Sequence, residues 1–166
     1  RMHFVGPDQR HGFERRPVGE YMAVHPGAPM RGAPIFKDIH PNTSSQDRVS
    51  VEMAGVGGTS YSAFDDMVTA TAVDYLDEKA SGDGRPFAAV AGFMMPHCPF
   101  VAPKELFEYY YDKVDVPMPT AEELERTPQA IKDMKKLRNV VEPFTEHQIR
   151  VARAAYYGMC EMLDNS

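Results

Sequence analysis

An unbroken apolar run, Phe87-Ala-Ala-Val-Ala-Gly-Phe93, lies just after a long amphipathic segment and the turn residues Gly82-Asp83-Gly84. A short apolar stretch bounded by turn residues is the pattern of a strand buried on both faces, and such strands occur in sheets covered by helices. The preceding segment reads as a helix over residues 62–81. Ser62 with Asp65 three residues on resembles a capping box, and Phe64, Val68, Ala72 and Leu76 recur on one face, with Met67, Thr71 and Tyr75 beside them. Helix, tight turn and buried strand in succession predict the α/β class.

The remaining segments are placed relative to that unit. Residues 1–5 read as the end of a strand running into Gly6-Pro7-Asp8, and residues 12–47 as loop, broken by Pro17, Pro26, Pro29, Pro34 and Pro41. Val49–Met53 reads as a short strand before a turn at Gly55, Gly57 and Gly58. Pro103 suits the first turn of a short helix with Leu106, Phe107, Tyr110 and Tyr111 on its apolar side. Thr120 with Glu123, Thr127-Pro128 and Thr145 with Gln148 each start a helix. The last of these carries Ile149, Ala152, Tyr156, Cys160 and Leu163 as its apolar stripe. Lys132, Lys135, Lys136 and Arg138 read as a solvated face. The chain begins at Arg1 without a signal pattern and its last helix runs to Leu163 with no terminator. Both ends are therefore expected to be cuts within a longer domain, of which residues 1–166 are the middle part.

Charge narrows the function classes. With 18 Lys+Arg against 24 Asp+Glu the net charge is −6, and the acidic excess sits between residues 61 and 120. No basic stripe follows a phosphate backbone, so nucleic acid is not an expected partner. The longest apolar run, Phe87 to Met95, is far shorter than a membrane span needs. Cys98 and Cys160 form neither a disulfide framework nor a metal-type spacing. Walker, Gly-x-Gly-x-x-Gly, Gly-x-Ser-x-Gly and His-Glu-x-x-His motifs are missing. Asp65-Asp66 reads as support for the helix start rather than as a metal site.

Ligands of open parallel sheets bind beyond the carboxyl ends of the strands. That rule points to Met94-Met95-Pro96-His97-Cys98-Pro99, where two prolines restrict the loop holding His97 and Cys98. His97 either caps this loop or acts on a ligand. His3 occupies a similar strand end, with Arg1 on the same side by the two-residue period, and Arg with His suits an oxyanion. His11, His25, His40 and His147 read as structural or surface residues.

Three stretches carry a family likeness: Arg1-Met-His-Phe-Val-Gly-Pro-Asp-Gln-Arg-His-Gly-Phe-Glu14, Phe93-Met-Met-Pro-His-Cys-Pro-Phe-Val-Ala-Pro103, and Ala154-Ala-Tyr-Tyr-Gly-Met with Leu163-Asp-Asn-Ser166. Together they resemble the sulfatases of the alkaline phosphatase superfamily, in the branch that holds choline sulfatases and phosphonate monoester hydrolases. The resemblance implies a fragment of an α/β/α sandwich with a mixed, mostly parallel sheet, in an enzyme that hydrolyses a small-molecule sulfate ester. It also implies roles for three residues. His3 matches the histidine of a Lys-x-His pair that contacts nucleophile and sulfate, with Arg1 in the lysine's place as a substrate-binding cation. His97 matches the histidine of a Pro-His-x-Pro motif that binds a sulfate oxygen and is placed to protonate the leaving alcohol. Met94 and Met95 stand where relatives often carry His, Lys or Arg, implying a less polar substrate pocket.

The family's Cys/Ser-x-Pro/Ala-x-Arg motif, whose first residue becomes formylglycine, is missing from residues 1–166. By the resemblance it precedes Arg1, and ligands for a divalent metal, usually calcium, flank this stretch on both sides. No metal ligand is expected among these residues, and the chain alone is expected to be inactive. Two other functions stay open: a phosphonate or phosphate ester hydrolase, and a non-catalytic anion-binding or scaffold homologue. Relatives in both cytoplasm and periplasm fit the resemblance equally.

Overall fold

The computed structural model describes residues 8–19, 46–82 and 84–166, so Arg1, His3 and the strand expected over residues 1–5 lie outside the described residues. The described chain combines six helices with one two-stranded parallel sheet, in keeping with the α/β class. It divides into two compact units. The first contains residues 59–95 with the loop at 8–19; the second contains the rest up to residue 165.

The first unit is built on helix α2, Ser60–Ala80. Its cap is Thr59 rather than Ser62: the Thr59 side chain accepts the Ser62 amide, while the Ser62 hydroxyl accepts the Thr59 amide. The helix therefore starts three residues earlier than the Ser62–Asp65 spacing predicts, because Ser62 is the N3 member of the box. Tyr61, Phe64 and Val68 form a buried cluster with Met94, flanked by Val18, Met67 and Phe93. Toward its C-terminus the helix surfaces, and Val73 and Leu76 are exposed. There Arg15 makes two hydrogen bonds to the Glu78 carboxylate, at 2.7 and 2.9 Å, with its guanidinium 5.4 Å from the Tyr75 ring centre. The paired guanidinium holds the Glu78 carboxyl below its ordinary value.

The run from Phe87 to Phe93 does not form the expected strand. Residues 84–94 carry no regular structure, and Phe87 and Val90 are 47% and 59% exposed. A strand exists only where neighbours take its amides and carbonyls, and no described element pairs with this stretch. Phe87 instead meets Tyr75 edge-on at 5.5 Å.

In the second unit, residues 48–52 form helix α1, Arg48–Glu52, rather than the expected strand. Local bonds explain the change: Asp47 accepts the Val49 amide as N-cap, and Arg48 bonds Glu52 one turn on. The expected glycine turn contributes strand β1, Gly55–Val56, paired in parallel with β2, Val101–Ala102, in the register Gly55↔Val101 and Val56↔Ala102. Helix α3, Lys104–Tyr111, begins directly after Pro103. Helix α4, Ala121–Glu125, is capped by the Thr120–Glu123 box, and α5, Gln129–Leu137, follows Pro128. On α5 the lysines share the surface with Ile131, Met134 and Leu137, all exposed.

Helix α6, Glu146–Asp164, starts at the Thr145–Gln148 box as read from the sequence. Its buried face is different from the expected stripe. Ala154, Ala155, Gly158 and Met159 are buried, whereas Tyr156 is 41% exposed. Small residues allow close approach: a Cβ at position 158 would lie 2.9 Å from the Ala102 Cβ and 3.3 Å from the Leu106 Cβ. Tyr156 turns to the rim and meets Phe100 edge-on, and Tyr110 stacks on Tyr157 across the α3–α6 contact. Arg150 donates to the Tyr111 and Val114 carbonyls, closing the C-terminal end of α3 onto α6.

These contacts set two measurable outcomes. Gly158→Ala gains about 1 kcal/mol of helix propensity, yet the overlap with Ala102 and Leu106 costs roughly 1–3 kcal/mol. Denaturant unfolding is expected to show net loss, and a more stable variant contradicts the packing. Glu78, with its carboxyl lowered by Arg15, contributes stability above its ordinary value of 4.5 that is lost as pH falls through the lowered folded value. The stability gap between the natural protein and Glu78→Gln should therefore be widest near neutrality and close in acid; a gap independent of pH contradicts the ion pair.

Candidate functional site

In the first unit residues 94 and 95 are held by a buried carboxylate, and in the second residues 97 and 98 hold a half-buried imidazole. In the first unit, Asp65 is 1% exposed, its Oδ1 accepting the Met94 amide at 2.7 Å and its Oδ2 the Met95 amide at 2.8 Å. The expectation that Asp65 merely supports the helix start is thus corrected: it is a tertiary acceptor 29 residues from its first partner. Asp66, on the next position, is exposed. Met94 and Met95 are both buried, and Met94 belongs to the Tyr61–Phe64–Val68 cluster.

In the second unit His97 is half-buried, and its Nδ1 lies 2.7 Å from the Cys98 carbonyl oxygen. A carbonyl has no proton to give, so Nδ1 carries the hydrogen and donates it. The neutral ring is then the Nδ1–H tautomer, with Nε2 as its acceptor nitrogen. The buried Cys98 Sγ sits 3.6 Å from the same Nδ1, where it adds a weak second acceptor. The Cys98–Pro99 peptide is cis. A ring whose tautomer is fixed at one nitrogen is suited to general acid–base work through the other.

The other sequence candidates fall elsewhere. Arg1 and His3 lie outside the described residues, as do His25 and His40. His11 is on the exposed 8–19 loop, where Asp8 accepts the His11 amide. His147, in the first turn of α6, accepts or donates at Nδ1 to the Tyr111 hydroxyl at 3.2 Å, a structural contact. The first unit also holds a cavity of about 650 Å³ lined by Arg15, Phe64, Tyr75, Lys79, Arg85 and Phe87 among others, and His97 is not part of its wall. Among the described residues no group of three or more His, Cys, Asp or Glu could hold a metal ion. The described residues therefore do not fit the divalent metal implied by the resemblance. No helix among the described residues is long and apolar enough to cross a membrane.

No protein-family model matches the chain. Over 173 aligned residues it is 30% identical to the choline-sulfatase of Rhizobium meliloti (strain 1021), covering 99% of this chain and 33% of that protein. The chain thus spans a third of the length of this curated relative. The likeness supports a relationship to the sulfatase family and, at that coverage, spans the region of both Asp65 and His97.

The Nδ1–H tautomer can be observed directly. Nitrogen chemical shifts of the neutral His97 ring should show the proton on Nδ1 rather than Nε2; the reverse pattern contradicts the bond to the Cys98 carbonyl.

Proposed function

We propose that residues 1–166 are the middle part of a single catalytic domain that hydrolyses sulfate esters, with His97 as the general acid. The observation that carries this reading is the His97 ring itself. Its Nδ1 is committed to the Cys98 carbonyl, so its proton exchange runs through Nε2, in a chain similar over almost its whole length to a choline-sulfatase. On this reading the Nε2–H of protonated His97 is given to the ester oxygen as the sulfur–oxygen bond breaks, and the alcohol leaves neutral rather than as an alkoxide. The same N–H binds that oxygen before the bond breaks. Arg1 and His3 supply positive charge and a hydrogen-bond donor to the remaining sulfate oxygens, roles that rest on the family resemblance. The nucleophile, a formylglycine, would come from polypeptide before Arg1, and ligands for a divalent cation, calcium in this reading, would come from polypeptide on both sides of these residues.

A general acid matters most where the departing oxygen is a poor leaving group, and contributes on the order of 10² to 10⁴ in rate. In the full-length protein, His97→Ala should therefore slow hydrolysis of an alkyl sulfate by about that factor, while a nitrophenyl sulfate is slowed far less. Comparing kcat/KM for both substrates decides the matter: equal losses remove the acid role, and no sulfatase activity in the natural full-length protein removes the sulfatase reading.

A further inference from the structure

Within the second unit, the backbone beside His97 is fixed from its downstream side. Two residues beyond Cys98 the Phe100 carbonyl accepts the Gly55 amide at 2.9 Å, and Val101 is the register partner of Gly55 in the parallel sheet. Between that pairing and the imidazole lie Pro99, fully buried, and Cys98, 5% exposed. A carbonyl set between two buried side chains at the start of a strand is a fixed acceptor. It is this oxygen, on Cys98, that takes the His97 Nδ1 hydrogen at 2.7 Å.

The Cys98 side chain meets the same nitrogen. Its Sγ lies 3.6 Å from Nδ1, in contact with the ring, with no room for a water between them. A thiol is weak both as a donor and as an acceptor, so the sulfur covers this flank of Nδ1 without competing for its hydrogen. A hydroxyl in the same place would act differently. A buried O–H is a strong donor that is costly to leave without an acceptor, and an Nδ1 free of hydrogen is such an acceptor. Which ring nitrogen carries the hydrogen follows from the bonds offered to each. A strong donor beside Nδ1 favours hydrogen on Nε2, whereas the carbonyl and the thiol together favour hydrogen on Nδ1.

We propose that the Cys98 side chain is a positioning residue for His97: the buried thiol shields Nδ1 and leaves its hydrogen to the Cys98 carbonyl, so that Nε2 is the nitrogen that serves the ester oxygen. The role rests on the acid function proposed for His97. Cys98 touches no reacting atom, and its effect is felt through the tautomer and the orientation of the ring. Misplacement of a catalytic group by about 1 Å costs on the order of 10²-fold.

Two measurements in the full-length protein test this: the nitrogen chemical shifts of the neutral His97 ring, and kcat/KM over a series of aryl and alkyl sulfates. Cys98→Ser should move a measurable share of the neutral ring to the Nε2–H tautomer. Alkyl sulfates should then slow by roughly 10- to 100-fold, short of the loss in His97→Ala, while nitrophenyl sulfate is slowed little. Cys98→Ala removes the sulfur without adding a donor. There the hydrogen should stay on Nδ1, and the ring, freed on one flank, should show a smaller loss that again falls on alkyl sulfates. Combining Cys98→Ser with His97→Ala should cost no more than His97→Ala alone, because the thiol acts through the ring. A folded Cys98→Ser protein with the natural tautomer or the natural leaving-group dependence overturns the proposal, as do equal losses on all substrates or losses that add in the double variant. Should Cys98→Ser fail to fold, Cys98→Ala decides by the same kinetics, and a natural dependence or uniform losses there overturn it. A natural dependence in His97→Ala itself refutes the acid role instead, so the two failures are distinguishable.

Discussion

The first unit depends most on one buried carboxylate. Asp65 reaches from the second turn of α2 to two amides of the 94–95 peptide and so ties the long helix to that peptide. The hydrophobic cluster of Tyr61, Phe64, Val68 and Met94 surrounds the same junction. Apolar burial of this kind is strong but without direction, since neighbouring rotamers satisfy it nearly as well. The carboxylate supplies the direction. Cluster and clamp together place a backbone path; neither does so alone.

Local chemistry is legible in the sequence wherever a few neighbouring residues decide the outcome. Thr120 with Glu123 and Thr145 with Gln148 start helices because the capping bonds close within four residues. The same logic misplaces the start of α2, where Ser62 is the inner partner of Thr59 rather than the cap. Residues 48–52 mislead for the opposite reason. Their Val-Ser-Val pattern favours a strand, but the Asp47 cap and the Arg48–Glu52 pair outweigh that preference.

Features decided by distant partners are not legible. Nothing near Asp65 shows that its acceptors serve amides some 30 residues away, so a tertiary clamp looks like a helix-start acid. The apolar run from Phe87 to Phe93 has the composition of a strand, but a strand is a property of a pair, and no described neighbour completes it. For the candidate site, His97 stands out from its prolines and expected strand-end position, while the state of its ring does not, since a backbone carbonyl sets it. Arg1 and His3 rest on the resemblance alone.

The glycine at position 158 has a consequence for how α6 can move. It is the point where that helix comes nearest to Ala102 and Leu106, within a distance that admits no side chain. Sliding α6 along its axis by one turn, about 5.4 Å, would bring Ala154 or Met162 into the same slot, and both carry the Cβ that the slot excludes. The contact therefore works as a register key: α6 fits β2 and α3 in one axial setting. The aromatic stack of Tyr110 on Tyr157 inherits its alignment from that setting.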